Sequence, residues 1–408
     1  MLKHVLYGDG IHDDLPAIQE MLDNRSYVYL PPPEKNYLIG KAIRLSSGQE
    51  LRLDRFSRIM LIEHSNTCML KNRNAGTRDK NIKVSGGIWD MNHRFQRPNP
   101  AHFSDKKKGE LSPGEWSRER ADSDPYCKEP LPIYSGFCMM FFNVAGLTVS
   151  DITIENPVTY GIDVAFTENF TVENIHFDYF EGSPKLWNMD GIHIEGGCKN
   201  GYIHNLSGTC HDDTVALTTE DLYRGDIENI TVDGIYGRDS HSAVRLLSRA
   251  NKLKNVHITN IYGTYYVAGI IISKYSQEEK YRSAISNITI DNVYASFCMG
   301  TKDVTWTEDG LISFGSGIDV QNAVIEKLFR DEECKNPPAI NIGDGSIIGS
   351  LSISDCRQMN FTGEPMEFIR NNGKIKKLYL KNIEQDEELL PGEGTVEALY
   401  SCDAAYPD

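Results

Sequence analysis

From about Gly146 onward, apolar and polar residues alternate in short runs, each closed by Asn, Asp or Gly and reopened by another apolar residue. The first copies are Gly146-Leu147-Thr148-Val149-Ser150-Asp151-Ile152, Asn169-Phe170-Thr171-Val172-Glu173-Asn174-Ile175 and Gly201-Tyr202-Ile203-His204-Asn205-Leu206. The pattern continues through Asn229-Ile230-Thr231-Val232-Asp233-Gly234-Ile235, Asn255-Val256-His257-Ile258-Thr259-Asn260-Ile261 and Asn287-Ile288-Thr289-Ile290-Asp291-Asn292-Val293. Weaker copies lie near Leu351-Ser352-Ile353 and Leu378-Tyr379-Leu380. A period of two in Val, Ile, Phe and Thr is that of a strand, and the Asn or Asp that follows favours a tight bend. The copies recur every roughly 23 to 37 residues, as in a solenoid whose coils share a core but differ in loop length. With no helical period in the repeats, the predicted fold class is all-β, a right-handed parallel β-helix. A β-sandwich would show no such positional register.

The ends fit a solenoid. Gly8-Asp9-Gly10-Ile11-His12-Asp13-Asp14-Leu15-Pro16 leads into Ala17-Ile18-Gln19-Glu20-Met21-Leu22, an amphipathic helix with Asp14 as N-cap and Pro16 in its first turn. Residues 1–26 are therefore expected to cap the open apolar end. Coils are expected over 27–385, the early strands closing with Val84-Ser85-Gly86-Gly87-Ile88-Trp89-Asp90. The patterning stops over 91–132, rich in Pro, Lys, Arg, Asp and Ser, which reads equally as a cleft wall or a solvated excursion. An acidic tail, 386–408, reads as peripheral. The 408 residues are read as a single domain.

Charge narrows the partners. A formal net charge of −16 argues against bulk electrostatic binding to nucleic acid or an anionic membrane. The longest apolar stretch, Phe137 to Val149, is interrupted by Asn143 and too short to span a bilayer. Met1-Leu2-Lys3-His4 runs straight into patterned sequence without a secretory h-region. Nine cysteines at irregular spacing, with no CxxC, read as free thiols rather than a disulfide framework or zinc site. The expected compartment is the cytoplasm, or secretion if a leader has been removed.

The candidate chemistry lies in Asn188-Met189-Asp190-Gly191-Ile192 and His211-Asp212-Asp213-Thr214-Val215. On neighbouring parallel strands, about 4.8 Å apart, Asp190 and Asp213 would stack with Asp212 beside them. Carboxylates so close cannot all ionise easily, and one pKa rises. Split pKa values supply the proton donor and base that glycosidic hydrolysis needs. Taken singly, each Asp also reads as a turn residue capping a strand end.

These residues carry a resemblance. The opening G-D-G-x-x-D-D-x-x-A-I-Q, the register of coils and Gly86-Gly87-Ile88-Trp89-Asp90 resemble the pectinase-like parallel β-helix superfamily. Asn188-x-Asp190 followed by Asp212-Asp213 resembles the N-T-D and [GQ]-D-D motifs of the polygalacturonase family, glycoside hydrolase family 28. Where that family has G-H-G, this chain has Asp239-Ser240-His241-Ser242-Ala243; where it has R-I-K, it has Ile272-Ser273-Lys274. The resemblance implies inverting hydrolysis of a pectin-type or related oligosaccharide. In our reading Asp212 is the general acid, Asp190 and Asp213 activate water, and His241 orients or tunes the acid. In the family that Arg and Lys engage the substrate carboxylate. The missing Arg leaves room for another sugar, with Arg245 or Arg249 as substitutes and exo action on short chains. Asn188, Lys274, His211, Arg245 and Trp187 are the candidate substrate-binding residues, Trp187 as a stacking platform, and His193 and Tyr223 are further groove candidates.

No EF-hand, phosphate loop or HExxH is present, so neither metal nor organic cofactor is expected. The expected partner is carbohydrate; the oligomeric state is left open. Rival readings are a polysaccharide lyase using Ca²⁺ and a basic residue, a non-catalytic glycan-binding β-helix of the tailspike kind, and a sugar epimerase.

Overall fold

The computed structural model describes residues 3–74, 76–98, 136–180, 182, 186–274, 282–385 and 392–402. Most of the expected 91–132 excursion and part of the 386–408 tail lie outside these residues. The chain folds as a right-handed parallel β-helix with one α-helix at the N-terminus. It groups into two compact units, Met1–Asp212 with Asp221–Arg224, and Asp213–Glu220 with Gly225–Asp408.

In the first unit, helix α1 (Leu15–Asn24) buries Ala17, Ile18, Met21 and Leu22. Asp14 occupies the N-cap position, but its side chain does not cap the helix. Instead it accepts the N–H groups of Tyr7, Gly8 and Leu38, tying the opening loop to the first coil. Parallel pairings then stack the coils. One stack runs from Tyr27–Leu30 through Glu50–Leu53, Asp79–Ser85, Val144–Glu155 and Glu168–Asp178 to Lys199–Thr209. Another runs from Ile43–Leu45 through Leu70–Asn72, Met139–Phe142 and Ile162–Ala165 to Ile192–Glu195.

The second unit repeats the plan. Ile227–Leu247, Lys252–Ser273, Ala284–Phe297, Asp319–Glu332, Ile347–Asn360 and Lys374–Glu384 pair in succession. Asp213–Thr218 pairs with residues 242–247, and 270–272 with Ile312–Phe314, Ile340–Ile342 and Ile369–Asn371 in turn.

The repeat explains the corners. Asn169, Asn174, Asn200 and Asn205 in the first unit, and Asn229, Asn255, Asn260, Asn287 and Asn292 in the second, all hold φ between 55 and 59°. Asn tolerates this left-handed region better than other side-chain-bearing residues. Stacked corners then bond one another through their amides: Asn200 to Asn169 at 3.1 Å, Asn205 to Asn174 at 2.7 Å, and Asn255 to Asn229 at 2.8 Å. Between corners the inward positions are sealed, as with Ile162, Val164, Ile192 and Ile194 at 0% exposure.

Candidate functional site

The two sequence motifs of the first unit are clipped together by backbone bonds. The N–H groups of His211 and Asp212 donate to Met189 O at 3.2 and 3.3 Å. In return the Asn188 N–H donates to Asp212 Oδ2 at 3.2 Å. Asn188 adopts φ 57°, the left-handed turn that aims its N–H this way. Behind them, Asp190 O accepts from the Gly161 N–H at 2.9 Å and the Tyr179 hydroxyl at 3.2 Å. Residue 161 must be glycine: a Cβ there would stand 2.4 Å from Tyr179 Oη and 2.7 Å from Gly191 O. Trp187 and Asn188 are half-buried and Asp212 keeps partial exposure, whereas Asp190 is buried. His211 is buried too, its Nε2 2.7 Å from Tyr179 O, so it braces the turn from within.

Asp190 belongs to a buried polar cluster. Its Oδ2 lies 2.7 Å from His193 Nδ1. His193 Nε2 faces Asp221 Oδ2 at 3.4 Å and Glu195 Oε1 at 3.5 Å. Tyr160 donates its hydroxyl to Asp221 Oδ2 at 3.1 Å and stacks its ring on His193, centroids 4.0 Å apart and 9° from parallel. Tyr223 sits in the apolar cluster of Phe137, Phe142, Tyr160, Ala165 and Leu222 that roofs this region. Burial opposes the charged imidazole, but Glu195 and the bonds to Asp190 and Asp221 outweigh it and hold His193 protonated well above its ordinary range. Burial pushes Glu195 well up, and pushes Asp163 up to about 8, with Asp221 and Asp190 adding to the rise. Asp163, Glu195, Asp221 and Tyr160 were not singled out from sequence. Asp163, His193 and Glu195 alternate with inward apolar residues and so read as solvent-facing; nothing local says that aromatic rings cover them.

In the second unit, Asp213 accepts from Arg245 Nε at 2.6 Å and from the Ser242 hydroxyl. His241 Nδ1 lies 3.8 Å from Asp213 Oδ1, and its ring meets Tyr266 and Trp306 edge-on at 5.5 Å. Burial, helped by Arg245 and opposed by Asp213, lowers the His241 pKa to about 4, so the ring is neutral at pH 7. Arg249 is buried. Burial also raises the Glu308 carboxyl above its usual range. Arg245 thus engages Asp213, a link that sequence spacing did not disclose.

Ile272 pairs with Leu246 and Phe314, all fully buried inward positions. The outward positions of this strand are Ile271, beside Arg245, and Ser273, at the strand end. Lys274 lies one residue beyond, half-buried, with its Nζ next to Gly317.

No protein-family model and no curated protein matches the sequence. Solved structures do. A family 28 exopolygalacturonase from Yersinia enterocolitica aligns with TM-score 0.56 at 14% identity, over 97% of this chain and 76% of that one. The A-module of the Azotobacter vinelandii mannuronan C-5 epimerase AlgE6 aligns with TM-score 0.55 at 12% identity, over 98% and 97%. The surface adhesin PfbA of Streptococcus pneumoniae aligns with TM-score 0.52 at 16% identity, over 97% of each chain. At such identities the likeness is one of fold, and the chain shares the right-handed parallel β-helix of these proteins.

Proposed function

We propose that the protein is a glycoside hydrolase that cleaves an O-glycosidic bond of a pectin-type or related oligosaccharide with inversion, acting from a chain end. The observation that carries the reading is the mutual clip between the Asn188–Asp190 turn and Asp212. It supports treating the two motifs as one catalytic element, with a half-exposed carboxyl beside a buried one.

In this reading Asp212 protonates the glycosidic oxygen as the C1–O bond breaks. Asp190 and Asp213 take a proton from the water that attacks the opposite face of C1, and the free sugar and the shortened chain leave. Arg245 and Ser242 hold Asp213 in orientation, and neutral His241 packs beside it without adding charge. Asn188, Trp187 and Lys274 are assigned to the sugar. His211, bonded to the backbone, is assigned to holding the turn. The cytoplasm is the proposed compartment.

Release of reducing ends from a panel of pectic, rhamnogalacturonan and other plant oligosaccharides tests the proposal. Steady release, lost in Asp212→Asn, supports it. An unsaturated product absorbing in the ultraviolet would instead show elimination, and binding without turnover across the panel would leave a glycan-binding β-helix.

A further inference from the structure

Asp163 and His193 are register partners on adjacent strands, facing away from the coil interior, and Glu195 lies two residues on along the second strand. Such positions usually meet water, yet Asp163 and Glu195 are 0% exposed and His193 is 3% exposed. With Asp190 and Asp221 they place four carboxyl groups around one imidazole. Burying so much negative potential is unfavourable unless positive charge accompanies it, and His193 alone among these five carries any.

Glu195 Oε2 accepts the N–H groups of Leu222 and Tyr223 at 3.0 and 3.2 Å, which turns Oε1 toward His193 Nε2. Nδ1 is shared with Asp190, and Nε2 faces Glu195 and Asp221, so a cation bound there would take the place of the Nε2 proton. The 3.4 and 3.5 Å separations there are long for charge-assisted hydrogen bonds. They match the edge of a tetrahedron with metal–ligand bonds of about 2.1 Å, which is about 3.4 Å. One oxygen of each acid and the imidazole nitrogen lie within 4.8 Å of one another. A separate observation points the same way: both carboxylate oxygens of fully buried Asp163 lack a hydrogen-bond partner, although the residue lies beside His193. The stacked rings of Phe137, Tyr160 and His193 shield the group from water.

We propose that His193 Nε2, Glu195 and Asp221 bind a divalent first-row cation such as Zn²⁺ or Mn²⁺, with buried Asp163 adding negative charge beside the site and Asp190 orienting the imidazole through Nδ1. One nitrogen and several carboxylate oxygens suit these ions. The cation neutralises the buried acids and fixes the ring that holds Asp190. It departs from the metal-free expectation of the sequence, and it does not depend on hydrolysis.

The test uses the full chain, stripped with EDTA, dialysed, and loaded separately with Zn²⁺, Mn²⁺ or Co²⁺. Bound metal is counted by mass spectrometry, Tm is followed, and visible Co²⁺ bands report an imidazole–carboxylate site. The expected result is about one equivalent retained, with a Tm raised by several degrees. Glu195→Gln and Asp221→Asn should each lower metal affinity at least tenfold. Wild-type protein that retains none of the three ions and shows no Tm response overturns the proposal, leaving protons to balance the cluster. Undiminished binding in both variants, each folded by circular dichroism, overturns the placement. Metal content and Tm require no substrate, so failure here and failure of the hydrolase reading are told apart.

Discussion

Arg245 Nε donates to Asp213 Oδ2 across 2.6 Å, with the carboxylate side chain 4% and the arginine 20% exposed. The pair joins two coils whose strands are in register at Asp213↔Ser242 and Ala216↔Arg245. Removing the guanidinium strands a buried carboxylate, so Arg245→Ala should cost about 2–4 kcal/mol of unfolding free energy. Arg245→Lys should recover only part of it, since an ammonium cannot reproduce the planar fork. Urea denaturation checks both; wild-type stability in the alanine variant would refute the role.

Asp212→Asn should reduce turnover by about 10² to 10⁴. The Asn188 N–H can still donate to an amide oxygen, so the turn should persist and the Tm should stay near that of the wild type. Near-normal activity in a variant of unchanged Tm sinks the general-acid assignment.

His241 has a folded pKa of about 4 against an ordinary 6.5. Its unfolded form therefore binds a proton first. The stability contributed by the neutral ring is complete above pH 6.5 and is lost as pH falls toward 4. The loss approaches about 3 kcal/mol. The groups facing it are Asp213, Arg245 and the rings of Tyr266 and Trp306. His241→Gln should flatten the Tm profile between those pH values. A slope identical to wild type would show that the ring titrates normally.

Plain polygalacturonate should be a poor substrate. Where the resembled motif has its Arg this chain has Ile272, which is buried and carries no charge. Lys274, beyond the strand, offers a point charge without the bidentate geometry of a guanidinium. A rapid viscosity drop of long polygalacturonate would contradict both this specificity and the exo mode.

Thiol titration of denatured, non-reduced protein should count close to the nine cysteines of the sequence. Cys68, Cys138, Cys198, Cys210, Cys298, Cys334 and Cys356 are free thiols, and burial raises the pKa of Cys138 and Cys198. Cys127 and the side chain of Cys402 lie outside what the structure describes. A deficit of four or more thiols would indicate disulfides and an oxidising compartment.

The sequence by itself determined the coil. Alternation set which side chains point inward, and Asn at the run ends marked the corners, because both are properties of a few consecutive residues. It also marked Asn188, Asp190, Asp212 and Asp213, whose turn chemistry is local. Tertiary structure decided the rest. Whether Asp14 caps a helix or gathers the Tyr7, Gly8 and Leu38 N–H groups depends on how the opening loop and the first coil come together around it. That Ile272 is inward follows from register with Leu246 and Phe314. Most of all, Asp163, His193 and Glu195 read as solvent-facing in a two-residue period. The stack of Phe137 on Tyr160 and of Tyr160 on His193 belongs to a covering layer, with Leu222 and Tyr223, that removes the water and makes their charges interact. Burial of an outward position is a property of what covers it, and no local pattern carries that.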